Sequence, residues 1–262
     1  MDIKFNKQRA IVCGSTQGIG LAVARELASM GASITLVARN ETTLAAIAAT
    51  LPTTGAQQHH YLVADFSDPE GLRTAVATYL QDGHLVNILI NNTGGPSGGA
   101  ITEAKAEDFE KTFRQHLVCN HVMVQSLLPG MKQSGYGRIV NIISTSVKQP
   151  LKGLGVSNTI RAAVANWSKT LATELAPFQI TVNNVLPGAT NTQRLTTLIE
   201  SKSVKTGKLV TELEAEMLQE IPMGRFAGPE EIAFAVGFLV SPAAAYITGI
   251  NIPVDGGRTG CL

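Results

Sequence analysis

Ala10-Ile11-Val12-Cys13 runs directly into Gly14-Ser15-Thr16-Gln17-Gly18-Ile19-Gly20, and an amphipathic stretch from Leu21 to Met30 follows. A short run that is apolar on both faces is a strand covered by helices on each side. The glycines after it allow a sharp turn and a close backbone approach to a phosphate. The helix that follows offers unpaired N–H groups and the positive end of its dipole to a pyrophosphate. The spacing is Gly-x-x-x-Gly-x-Gly, not Gly-x-Gly-x-x-Gly. Glycines also gather in tight turns that bind nothing, but a strand before and a helix after favour a nucleotide loop. Gly14, Ser15, Thr16, Gln17, Gly18, Ile19 and Gly20 are therefore candidate cofactor residues.

The same alternation continues along the chain. Strands are expected at 33–38, 60–64, 87–90, 138–143, 180–185 and 250–254, with helices at 41–51, 106–132 and 158–176 among them. Apolar strands separated by helices give a parallel sheet, and right-handed crossovers make it doubly wound, with any ligand at the carboxyl ends of the strands. The fold class is α/β, one domain with a doubly wound parallel sheet (a Rossmann fold) and helices on both faces. Residues 188–223 contain no strand pattern, only helical pieces near 195–202 and 210–221. An excursion of that length above strand ends reads as a substrate lid rather than a plain surface insertion.

Composition narrows the function. The chain has 262 residues, enough to bury about three quarters of its unfolded surface without a disulfide or metal staple. Its 21 basic and 20 acidic residues give a net charge of +1, with no basic run to mark a nucleic-acid surface. Cys13, Cys119 and Cys261 form no Cys-x-x-Cys pair, which fits reduced thiols and no metal site. The opening Met1-Asp2-Ile3-Lys4-Phe5-Asn6-Lys7 lacks the apolar run of a signal peptide, and no apolar stretch approaches the roughly 18 residues of a membrane helix. A soluble, cytoplasmic protein is expected.

The cofactor is readable in more detail. About 20 residues after the glycine loop a carboxylate would mark a free ribose 2′-hydroxyl. This chain has Ala38-Arg39-Asn40 there, and the planar fork of Arg39 pairs well with a 2′-phosphate. NADP(H) is the expected cofactor. Asp65-Phe66 ends the third strand, Asn91-Asn92-Thr93-Gly94 the fourth, and Pro187-Gly188-Ala189-Thr190-Asn191-Thr192 the sixth. Each alone is an ordinary strand-to-loop turn. Together they make Asp65, Phe66, Asn92, Gly94, Pro187, Gly188, Thr190 and Thr192 further candidates.

These motifs, with Gly137-Arg138-Ile139-Val140-Asn141-Ile142, Gly224-Arg225-Phe226-Ala227-Gly228-Pro229-Glu230-Glu231-Ile232, Tyr246-Ile247-Thr248-Gly249 and Val254-Asp255-Gly256-Gly257, resemble the short-chain dehydrogenase/reductase family, most closely its 3-oxoacyl-acyl-carrier-protein reductases. The resemblance spans essentially the whole chain. It implies four catalytic positions: a Ser that polarises a carbonyl, a Tyr that exchanges the proton, a Lys that tunes the Tyr and holds the nicotinamide ribose, and an Asn that supports a relay water. Ser144 matches the Ser. Aligning Arg161-Ala162-Ala163-Val164 on the family's Lys-Ala-Ala-Val puts Ser157 at the Tyr position, thirteen residues after Ser144 as the family requires, and His116 falls on the Asn position. Three of the four have changed.

None of Tyr61, Tyr79, Tyr136 and Tyr246 has a Lys four residues later. An aliphatic hydroxyl is a far weaker acid than a phenol, and Arg161 stays cationic. His116 has an ordinary pKa suited to a proton donor, or it is a satisfied helix histidine. Lys148 and Lys152 are alternative donors or solvated loop lysines. Two functional classes follow. One is an oxidoreductase acting on a carbonyl or alcohol through Ser144, Ser157, Arg161 and His116, with Arg161 also available to the ribose. The other is a catalytically silent NADP(H)-binding sensor or scaffold. Apolar stripes on the two long helices, which pair in relatives, point to a homotetramer or homodimer.

Overall fold

The computed structural model describes residues 3–5 and 7–261; Met1, Asp2 and Asn6, part of the stretch read for a signal peptide, lie outside it, as does Leu262. Seven parallel strands form one sheet: β1 (Arg9–Cys13), β2 (Ser33–Ala38), β3 (His60–Val63), β4 (Ile88–Asn91), β5 (Gly137–Ile142), β6 (Ile180–Pro187) and β7 (Asn251–Val254). Their order is β3-β2-β1-β4-β5-β6-β7, so the winding reverses between β1 and β4. That reversal opens a crevice at the carboxyl ends of the strands, where the glycine loop stands.

Helices α1 (Gly18–Ser29), α2 (Glu41–Ala48) and α9 (Pro229–Val240) belong with one face of the sheet. Helices α3 (Pro69–Gln81), α5 (Cys119–Ser134) and α6 (Gly155–Leu175) cover the other. The sheet divides the apolar interior accordingly. Val12, Ile34, Leu36 and Ile90 pack with Val23, Leu27 and Val236 on the first side. Ile11, Leu89, Ile139 and Val182 pack with Met123, Leu127 and Leu175 on the second. Alternate residues of the central strands face opposite helix layers, which is why those strands read as continuous apolar runs, while edge strand β3 leaves Tyr61 and Val63 exposed.

The expected 106–132 helix is two helices, α4 (Ala106–Phe113) and α5, joined by a π-helical turn at Arg114–Val118. One extra residue per turn rotates His116 relative to the register of a plain α-helix. The apolar stripes offered as a pairing face are largely taken up inside the chain, since Val122, Met123, Leu127 and Met131 of α5 and Ile160, Val164 and Leu175 of α6 are buried. The 188–223 excursion folds as α7 (Gln193–Thr206) and α8 (Val210–Gln219), with Leu195, Ile199 and Leu213 as a small core of their own. No helix among the described residues is long and apolar enough to cross a membrane.

A row of side-chain amides, buried on β4, β5 and β6 and exposed on β7, crosses the sheet. Asn91, Asn141, Asn184 and Asn251 are register partners on β4, β5, β6 and β7. Asn91 Nδ2 donates to Asn141 Oδ1 at 2.8 Å, Asn141 Nδ2 to Asn184 Oδ1 at 3.0 Å, and Asn184 Nδ2 to Asn251 Oδ1 at 2.8 Å. Ser168 of α6 joins them, accepting from Asn141 Nδ2 at 2.8 Å and donating to Asn184 Oδ1 at 2.9 Å. In a low-dielectric interior each such bond is strong, and each orphaned partner is costly. Asn184→Ala leaves three partners without it and is expected to lower unfolding free energy by roughly 2–4 kcal/mol. Urea denaturation at fixed protein concentration checks this; an unchanged midpoint contradicts the ladder's structural weight.

Candidate active site

The glycine loop has a shape that only glycines permit at two points. Gly14 has φ +58° and a Cβ there would stand 2.6 Å from Asn92 O; a Cβ on Gly20 would stand 2.1 Å from Gly14 O. Asn92 closes this contact from β4, its Nδ2 donating to Cys13 O at 3.2 Å and Gly14 O at 3.1 Å. Gln17 precedes α1 without a side-chain cap, and α1 has no acid in its first turn. Its leading N–H groups are left for an anion, so these residues fit a dinucleotide pyrophosphate. Thr192 approaches from the far side, its Cγ2 3.3 Å from where a Gly18 Cβ would stand, and it caps α7.

Two expected contacts turn inward instead. Ser15 is fully buried and its Oγ accepts from Val37 N at 3.0 Å, so its side chain fixes the loop to β2 rather than facing the crevice. The Asn92 side chain is likewise engaged with the loop backbone. Thr16, Gly18 and Ile19 are partly exposed and Gln17 is exposed at the loop. At the other end, Arg39 is exposed and borders a cleft of about 390 Å³ with Val63, Ala64, Asp65 and Gly71. Asp65 is held by Ser67 N at 2.8 Å, which with the Arg39 charge keeps its carboxyl below the usual range. Phe66 lies partly buried against the core, its carbonyl accepting from Cys119 Sγ. Thr190 Oγ1 donates to Gly188 O at 3.1 Å, and Gly188 packs on Asp255, so Pro187-Gly188 ends β6 against the β7 loop.

The chemical half is organised by Arg161. It lies two turns before Ser168 on the inner face of α6, with Ser157 one turn earlier. Its Nη1 donates to Ile142 O at 3.0 Å and Ile143 O at 2.9 Å, and its Nε to Ser157 Oγ at 3.4 Å. One guanidinium thus ties Ser157 to the end of β5, immediately before Ser144. Ser144 is extended at φ −167° and its Oγ accepts from Ser146 N at 3.1 Å. Burial, and then the charge of Arg194, lower the Arg161 pKa to about 10, which leaves it cationic at neutral pH.

His116 is 4% exposed, and its Nδ1 lies 2.7 Å from Thr93 Oγ1. Burial, reinforced by the positive charge of Arg161, lowers its pKa from 6.5 to about 3. The expectation of an imidazole titrating near neutrality is corrected: the ring is neutral there. Lys148 is partly buried and Lys152 exposed, and Lys205 Nζ donates to Gly98 O at 3.1 Å. The tyrosines are engaged elsewhere: Tyr79 with Thr35 at 2.6 Å, Tyr136 with Val240 O at 2.8 Å, Tyr61 with Glu41 at 3.3 Å, while Tyr246 is fully exposed. Arg194, at the start of α7, was not singled out in the sequence. Its Nη2 donates to Pro96 O and pins α7 to the loop after β4.

Comparison with known proteins agrees with this architecture. The profile of the family described as Enoyl-(Acyl carrier protein) reductase matches residues 14–259. NADPH-dependent reductase BacG of Bacillus subtilis is 31% identical over 97% of this chain and 98% of its own. The 3-oxoacyl-(acyl-carrier-protein) reductase FabG of Aquifex aeolicus is 32% identical over 98% and 99%. The structure of L-sorbose reductase from Gluconobacter frateurii, complexed with NADPH and L-sorbose, superimposes with a TM-score of 0.92 at 32% identity over all of both chains. The chain belongs to the short-chain dehydrogenase/reductase family and is of its oxidoreductase type.

The depressed pKa of His116 has a sign. Below pH 6.5 the unfolded chain takes up a proton at this position that the folded protein refuses down to about pH 3. The stability gained by burying the neutral ring is therefore present above 6.5 and lost as pH falls. His116→Asn should lose less stability than wild type on acidification, by about 2 kcal/mol between pH 6.5 and 4.5. Paired denaturant titrations measure this, and parallel pH profiles would contradict it.

Proposed function

We propose that the protein is an NADP(H)-dependent reductase of a carbonyl group in which a serine pair and a fixed cation stand in for the Tyr–Lys pair. The carrying observation is the Arg161 guanidinium, which touches Ser157 Oγ and the carbonyl just before Ser144. A hydroxyl that accepts from Nε must point its own proton away from the guanidinium, leaving the Ser157 O–H free to donate to a substrate oxygen. Ser144 supplies a second hydroxyl. Arg161 supports the negative charge that develops on that oxygen, in a site where its backbone bonds fix it beforehand. When bound, NADPH supplies the hydride received by the carbonyl carbon. The oxygen takes its proton through Ser157 from water, since neutral His116 is too weak an acid to give up its one N–H proton; His116 and Thr93 set the shape of the pocket wall. Arg39, with no ion pair among the described residues, supports preference for the 2′-phosphate. Residues 188–223 act as the substrate lid.

A second reading is a silent NADP(H)-binding sensor. What favours it is that Arg161 Nη1 is engaged by two main-chain carbonyls, so less of the fork remains for a ribose than a lysine would offer.

Fluorescence titration should show NADPH binding about tenfold or more tighter than NADH, the worth of one charge-assisted pair. Arg39→Asp should reverse the order, and equal affinities in wild type contradict the assignment. For the chemistry, a carbonyl panel with NADPH is run on wild type, Ser144→Ala and the double variant Ser157→Tyr with Arg161→Lys. Wild-type turnover that Ser144→Ala cuts at least about a hundredfold, with NADPH affinity intact, supports the serine mechanism. Turnover only in the double variant establishes the silent binder.

A further inference from the structure

We infer that the substrate is a 2-oxo acid, whose carboxylate is gripped between Arg161 of α6 and Arg194 of α7; this rests on the reductase reading above. Arg161 uses Nε and Nη1 within the protein, and its remaining nitrogen, Nη2, turns towards Gly95. A Cβ placed on Gly95 would meet Arg194 Nη2 at 3.2 Å and Arg161 Nη2 at 3.5 Å. Two guanidinium groups therefore converge on one side chain-free residue. Both positive charges also lower the basicity of the buried His116.

No acid answers this charge. Neither arginine takes part in an ion pair among the described residues, and the loop they share, Gly94-Gly95-Pro96-Ser97-Gly98-Gly99, contains none. Lys205 reaches the same loop at Gly98 O and adds a third positive group. Like charges brought together with partial burial are costly unless an anion joins them. The cofactor pyrophosphate has its own place at the uncapped N-terminus of α1, where Thr192 meets Gly18. Arg194 is held in the β4 loop, its Nη2 donating to Pro96 O beside Gly95.

The position of the charge defines the compound. The guanidinium that would take the carboxylate on Nη2 is the one whose Nε holds Ser157. A planar group of that size sets the carboxylate beside the carbonyl that Ser157 addresses, not at the far end of a chain. Reduction then adds hydride to the carbonyl carbon and a proton to its oxygen, oxidises NADPH, and yields a 2-hydroxy acid with the carboxylate unchanged.

Benzoylformate and its uncharged methyl ester carry the same ketone and ring and serve as probes. With NADPH, wild type should reduce the acid with kcat/KM at least about tenfold above the ester, the worth of one charged hydrogen bond. Arg194→Gln should erase most of that preference through KM, and Arg194→Lys should retain part of it. Calorimetric binding to the NADPH-loaded protein is read in parallel. Benzoylformate that binds in an Arg194-dependent manner without turnover sinks the reductase reading and leaves the anion site standing. Wild type that turns over or binds the acid no better than the ester overturns the site. So does an Arg194→Gln variant whose main defect is weakened NADPH binding, since Arg194 would then serve the cofactor.

Discussion

Four asparagines in register across β4, β5, β6 and β7 lock these strands at one level just below the loops that carry the site, and the site inherits its geometry from them. Parallel strands offer no tight turns to fix their ends, so a row of side-chain amides is an effective way to lock neighbouring ends at one level. The loop bearing Asn92 and Gly94 leaves β4 at one end of the ladder, Ser144 follows β5, and Pro187-Gly188 closes β6. Ser168 ties α6 into the same network. Ser157 and Arg161 lie on the same face of that helix, at whole-turn spacings from Ser168. Serine and guanidinium therefore reach the end of β5 from a helix that the ladder has already oriented.

Replacing a phenol and an ammonium by a hydroxyl and a guanidinium changes the kind of catalysis available. A lysine tunes an acid that moves a proton; an arginine remains charged and offers fixed N–H directions. The structure uses those directions, since Nη1 anchors Arg161 to two main-chain carbonyls while Nε reaches Ser157. The same cation, with burial, keeps His116 neutral. A protonated imidazole beside Arg161 would place two like charges in one recess, so proton storage on His116 and a charged Arg161 exclude each other at neutral pH.

The sheet, the glycine loop and the placement of Ser144, Ser157 and Arg161 on consecutive elements were legible because hydrophobic period and glycine spacing report directly on backbone path. What escaped was directional. Ser15 in the glycine loop and Asn92 after β4 read as cofactor contacts, yet their side chains turn inward to Val37 N and to the Cys13 and Gly14 carbonyls, and no spacing rule shows which way a polar side chain faces. The π-helical turn at Arg114–Val118, inside the long helix that periodicity read, went unseen because a single inserted residue shifts the apolar pattern too little to detect. Arg194 carried no signal because it lies in a lid segment without a motif, and its meaning depends on Arg161, thirty-three residues earlier in the chain.

That dependence joins α7 to the altered Lys position. A lysine at 161 would present one compact charge with no spare nitrogen in a fixed plane. The arginine keeps Nη2 aimed at Gly95 after Nε and Nη1 are engaged. Gly95 has no side chain to block the approach, and Arg194 arrives at the same point from α7, its own position fixed by Pro96 O. An anion placed between the two cations would relieve their repulsion.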